Sequence, residues 1–128
     1  DGIDKMTTTG YSRVWEVTRG EMVEHVIDVS ELGLPKADIK DLLGKDPAHN
    51  AELARGVLSG QPGPVRDIVV LNAAAGLEAF DLASDADRHS RPLRERLIEK
   101  IDVASQTIDS GQAHEKFTQW VQATQSVE

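Results

Sequence analysis

Few side chains in this sequence are spaced for chemistry, and each has a plain reading beside the sharper one. Asp1 and Asp4 bracket an Asp-Gly turn in a loop that continues through Lys5 and Thr7-Thr8-Thr9 to Gly10. By residue type alone they are solvated turn carboxylates. His25, His49, His89 and His114 stand apart with no ligand spacing among them, and the chain has no cysteine. A zinc site, a thiolate ligand and a disulfide are therefore not expected, and the histidines read as surface residues. No Gly-x-Ser-x-Gly elbow, Walker loop or Gly-x-Gly-x-x-Gly fingerprint occurs. The one basic concentration, residues 87–96, alternates with acids and lacks interleaved aromatics, so it does not read as a nucleic-acid interface. Asn72 lies within an apolar run and reads as a buried amide satisfied by neighbouring backbone, while Arg66 and Asp67 read as an ion pair or cap.

The elements that would position these groups are organised around residues 63–83, the longest nearly uninterrupted apolar run. Pro64 suits a first helical position and Asp67 the positive end of the dipole, so the run reads as a helix. Apolar residues occupy nearly every angular position from Ile68 to Leu82, which predicts cover on most sides. At about 1.5–3 kcal/mol per large side chain, its burial would supply much of the folding drive. Its alanines, with Asn72, Glu78 and Asp81, argue against a membrane span.

Before this run, residues 11–29 carry β-branched and aromatic side chains on both sides of Arg19-Gly20, predicting a hairpin with Gly20 at positive φ. Residues 30–35 read as a connection, and residues 36–43 make at most two helical turns. Asp46-Pro47 is a cap followed by a first-turn proline, opening a helix that ends before Gly60 with Leu53, Ala54, Val57 and Leu58 inward. Residues 84–90 read as a polar loop. Leu93, Leu97, Ile101, Ala104 and Ile108 recur at helical spacing, and a last helix carries Ala113, Phe117, Trp120, Val121 and Thr124 on one face. Phe117 and Trp120 are expected to dock on the core, and Trp15 to pack as well.

The 128 residues carry a net charge of −8, with 39% hydrophobic and 4% aromatic side chains. That fits one light-cored domain or part of one, and it disfavours adhesion to nucleic acid or to anionic membranes. One hairpin cannot form a stable sheet alone. With four to five apolar-faced helices it reads as the later part of a larger α/β layer structure. The chain opens on Asp rather than Met, so it is expected to be an excised piece.

Three stretches together resemble the carboxy-terminal third of the anthranilate phosphoribosyltransferases. They are Asp1-Gly2-Ile3-Asp4 with its threonines, Gly44-Lys45-Asp46-Pro47-Ala48-His49-Asn50-Ala51, and Gly63-Pro64 leading into Arg66-Asp67-Ile68-Val69-Val70-Leu71-Asn72-Ala73-Ala74. Leu32-Gly33-Leu34-Pro35 fits between them. The resemblance implies that residues 1–128 are the carboxy-terminal part of a mixed-sheet, helix-covered domain of the nucleoside phosphorylase and phosphoribosyltransferase type. The phosphate loop and an amino-terminal helical domain would lie upstream, so this piece alone is expected to be inactive. The implied reaction joins anthranilate to phosphoribosyl pyrophosphate with Mg2+, releasing pyrophosphate, in tryptophan biosynthesis. A cytoplasmic homodimer is implied for the intact protein, with no nucleic-acid or membrane partner. Arg66 and Asp67 would help to shape the anthranilate pocket from a distance.

In that family an Asp-Glu pair holds the metal. Asp4 matches the first of the pair, but Lys5 stands at the position of the glutamate, and an ammonium cannot ligate a cation. Either Asp4 acts with Asp1 or another group, or a second metal is held less directly, or Lys5 contacts pyrophosphate itself. The departure also suits a different class, a non-catalytic binding relative of the same fold. A nucleoside phosphorylase relative is a third reading, against which the match over residues 66–74 argues.

Overall fold

The computed structural model describes residues 2–126. Strands β1 (Tyr11–Thr18) and β2 (Glu21–Asp28) form an antiparallel hairpin in the register Tyr11↔Asp28 to Thr18↔Glu21. The two turn residues both take positive φ, 50° at Arg19 and 81° at Gly20. This twist matches that of the strands, which is why a two-residue hairpin turn prefers it. Even positions of β1 face inward, with Glu16 buried and Ser12, Val14 and Thr18 half-buried, while Tyr11, Arg13, Trp15 and Val17 face out. Trp15 is therefore 53% exposed, contrary to the packing role expected of it. Its indole N–H instead donates across the hairpin to Glu24 at 3.1 Å.

Asp28 caps a 3-10 turn, Val29–Leu32, by accepting from the Ser30 N–H at 3.0 Å. A second, Ile39–Leu42, occupies the stretch read as at most two helical turns. Helix α1 (Pro47–Leu58) opens as expected: the Asp46 carboxylate accepts from the His49 N–H at 2.9 Å. Helices α2 (Pro64–Ser84), α3 (Leu93–Asp109) and α4 (Gln112–Gln125) follow. The expected polar loop between α2 and α3 contains a 3-10 turn, Ala86–Ser90, capped by Asp85.

The core lies between α2 and α3 and takes in the end of β2. Val70, Leu71 and Ala74 of α2 meet Leu93, Leu97, Ile101, Ala104 and Ile108 of α3, and Ile27, Val29 and Leu32 complete the cluster. All five positions read from the α3 periodicity are buried.

Three packing expectations are corrected. Helix α2 is covered on one side rather than on most sides: Val69 is 40% and Phe80 73% exposed, because α3, α1 and the 3-10 turns Ile39–Leu42 and Ala86–Ser90 reach only part of its circumference. On α1 only Val57 is buried, and Ala54 is exposed. Trp120 of α4 is 62% exposed rather than docked on the core, and its ring lies 6.0 Å between centroids from that of the half-buried Phe117. Among the described residues the sheet has two strands, and no helix is long and apolar enough to cross a membrane.

Candidate functional site

The loop before β1 carries the one sequence motif that points to a metal. Its Thr7 and Thr8 are buried, whereas the Asp4 side chain is 89% exposed. Lys5 forms an ion pair with Asp4, and the hydrogen bond from its ammonium holds the Asp4 carboxyl below the usual carboxylate range. Asp4 is thus ionised throughout the neutral range. The pair lies on an open cleft of about 370 Å³ whose rim also includes Gly2, Tyr11 and Arg13. Asp1, the other candidate ligand, lies outside the described residues.

Downstream of Asp4 the loop is tied to α2. The Met6 N–H donates to Asn72 Oδ1 at 3.0 Å, and Asn72 Nδ2 donates to the carbonyls of Met6 and Ile68, both at 2.9 Å. This is the backbone-satisfied amide read from the sequence. The Thr7 N–H donates to Ser12 Oγ at 3.0 Å, joining the loop to β1.

A magnesium ion takes oxygen ligands and keeps several waters, so one or two protein carboxylates serve where substrate phosphates supply the rest. Asp4 fits that use: it is exposed, ionised, and Lys5 engages only its Oδ1. An all-protein cage does not fit, since the described residues include no group of three or more metal-binding side chains.

The larger cleft, about 560 Å³, lies between the hairpin, α2 and α3, and shares Met6 with the cleft at Asp4. Its polar wall is a buried ionic cluster that the sequence reading missed. Arg96, 0% exposed, donates to Glu78 at 2.7 Å, to both Glu16 oxygens at 2.9 and 2.8 Å, and to the Arg91 carbonyl at 3.0 Å. Arg88 bonds Glu78 at 2.7 Å, and His25 Nε2 lies 3.0 Å from Glu16. Burial pushes the Glu78 carboxyl up, but hydrogen bonds from Arg88 and Arg96 more than reverse this and leave it lowered. All three guanidinium nitrogens of Arg96 are engaged, so this wall is built for holding rather than for reacting. The signal was present: Glu16 falls on the inward alternation of β1, and Arg96 falls on the apolar stripe of α3 between Leu93 and Leu97. His25 is accordingly half-buried and paired, not the surface residue expected. Arg66 pairs across to Asp109 of α3 at 2.7 Å rather than with Asp67, whose carboxyl is raised by burial against the pull of Arg66.

A two-stranded hairpin set against an α2–α3 core, with a carboxylate presented on a leading loop, is an arrangement that the comparisons place in a family. Residues 1–114 match the glycosyl transferase family, a/b domain, and the chain belongs to that family. It is 57% identical over 124 residues to the anthranilate phosphoribosyltransferase of Leifsonia xyli, covering 97% of this chain and 36% of that protein. Among solved structures it is similar to anthranilate phosphoribosyltransferase from Thermus thermophilus, with TM-score 0.73, 32% identity, and coverage of 94% of this chain and 32% of that one. Its fold is also that of a variant of the Saccharomyces cerevisiae enzyme with Mg bound, at TM-score 0.75 and 22% identity over 98% of this chain and 34% of that one. The chain thus spans about a third of the length of the relatives it matches.

Proposed function

We propose that the protein containing this chain is an anthranilate phosphoribosyltransferase acting in tryptophan biosynthesis, with phosphoribosyl pyrophosphate and anthranilate as substrates. In the transfer, the anthranilate nitrogen bonds to C1 of the ribose as the C1–O bond breaks. Pyrophosphate departs with the electron pair, and the nitrogen loses a proton. Mg2+, when bound, neutralises the negative charge that grows on the leaving pyrophosphate. The observation that carries the reading is an exposed, ionised Asp4 beside Lys5 on an open cleft, in a chain 57% identical to an enzyme of that name.

In this reading Asp4 offers an oxygen ligand to the metal, and Lys5, whose side chain is 44% exposed, offers its ammonium to pyrophosphate oxygens. The buried cluster around Arg96 holds the hairpin on the helices that support the loop. The same proposal includes a cytoplasmic homodimer.

The test is fluorimetric loss of anthranilate by the whole encoded protein with phosphoribosyl pyrophosphate and Mg2+. Turnover in the parent and a fall of at least about tenfold in Asp4→Asn are expected, the scale of losing a direct transition-state electrostatic contact. A whole protein that binds neither substrate would favour the non-catalytic relative, the reading that Lys5 supports.

A further inference from the structure

The Asp4–Lys5 pair is exposed, yet the chain two residues beyond Asp4 is held by a residue far away in sequence. Asn72 sits midway along α2, on the side of the helix turned toward the loop, and grips both backbone groups of Met6 as a neighbouring strand would. It accepts from the Met6 N–H at 3.0 Å and donates to the Met6 carbonyl at 2.9 Å. Its second amide hydrogen goes to the Ile68 carbonyl one turn earlier in the same helix, at 2.9 Å. That third bond fixes which way the amide faces, because turning it over would set its oxygen against two carbonyl oxygens.

We infer that Asn72 is a positioning residue for the Asp4–Lys5 pair, transmitting the rigid placement of α2 to a loop that has no secondary structure of its own. The inference rests on the functional reading of Asp4 given above. Two residues of chain separate the anchor from Asp4, a reach of roughly 7 Å at full extension, so a fixed Met6 confines the carboxylate to a small volume. The Met6 side chain packs against the core cluster, and the Thr7 N–H bond to Ser12 continues the anchorage on the β1 side. Neither replaces Asn72, because neither engages the backbone groups of Met6. Nor does another side chain serve as well: aspartate keeps the acceptor and loses the donors, leucine loses all three bonds, and glutamine is one carbon too long. A ligand must be held to within a fraction of an ångström to act in a transfer reaction, so the cost of a loosened anchor is catalytic as well as structural.

The experiment uses the whole encoded protein as parent, Asn72→Ala, Asn72→Asp, Asp4→Ala and, as a packing control, Leu71→Ala, whose side chain is buried in the core one residue away. Two quantities are read at a temperature where every variant is folded: amide hydrogen exchange at Met6, and manganese(II) binding in the presence of pyrophosphate by electron paramagnetic resonance. Asn72→Ala is expected to speed Met6 exchange by about tenfold or more and to weaken manganese binding several-fold. Asn72→Asp, which sets a carboxylate oxygen against the Met6 and Ile68 carbonyls, is expected to do both at least as strongly, and Leu71→Ala neither. Unchanged Met6 exchange in Asn72→Ala, or equal effects from Leu71→Ala, would overturn the inference. Should Asp4→Ala leave manganese binding intact, the reading of Asp4 falls and takes the functional half of the inference with it. Met6 exchange then still decides separately whether Asn72 holds the loop.

Discussion

Asp4 with Lys5, and Glu16 and Glu78 with Arg96, are assembled from the same groups, carboxylates against cations, and differ in where the chain puts them. The first pair lies in an irregular loop before β1, with the Asp4 side chain 89% exposed. The second group spans β1, α2 and α3 and is almost wholly buried, with every carboxylate oxygen engaged. Water and a screening solvent leave the exposed pair weakly coupled, so an incoming phosphate or cation can displace one partner by the other at little cost. Burial does the opposite: desolvated charges are costly unless all of them are matched, so the cluster has one workable arrangement. Ionic chemistry in this molecule therefore divides into a part that is available to ligands and a part that fixes the hairpin to the helices.

The sharpest way to break that contrast is Arg96→Ala, which leaves Glu16 and Glu78 buried with too few donors. The expected loss is about 3–5 kcal/mol in denaturant unfolding of the whole encoded protein. Replacing the group together, as Glu16→Leu, Glu78→Leu and Arg96→Met, is expected to recover most of that loss, because the fully buried charges are then removed rather than stranded, while Arg88 and His25, which lose a glutamate partner, are in reach of water. Smaller is Asp46→Ala, which strips the cap from α1 and costs about 1 kcal/mol.

Asp28, half-buried at the end of β2, gives a pH-dependent case between the two. Hydrogen bonds from Lys36 and Ser30 lower its carboxyl from 3.8 to about 2. A group depressed in the folded state contributes stability above its unfolded value, so this contribution is complete above about pH 4 and is lost as pH falls toward 2. Acid titration of Asp28→Asn should lack that component. The smallest expected effect is that of Lys5→Ala on stability, within about 0.5 kcal/mol, as for other exposed ion pairs.

How far the fold was legible depended on whether the determining contacts were local. The Asp46-Pro47 start, the Arg19-Gly20 turn and the α3 stripe from Leu93 to Ile108 are written in neighbouring residues, and each formed where it was expected. The exposure of Phe80, Trp15 and Trp120 was not legible, because an apolar residue reveals a preference for cover but not whether a neighbour supplies it. In the candidate site, Asp4 was found through resemblance, and Asn72 as a backbone-satisfied amide, but its partner Met6 lies 66 residues away and no spacing rule reaches so far. Arg96 was passed over because it sits in a basic stretch that alternates with acids. Its place on the buried stripe of α3 was the more telling property.

The division between available and fixed charge is tested most directly by measuring turnover and unfolding together on Asp4→Asn in the whole encoded protein. The account predicts a fall in anthranilate consumption of at least about tenfold with stability within about 0.5 kcal/mol of the parent. Undiminished turnover, or a loss of stability on the scale expected for Arg96→Ala, would contradict it.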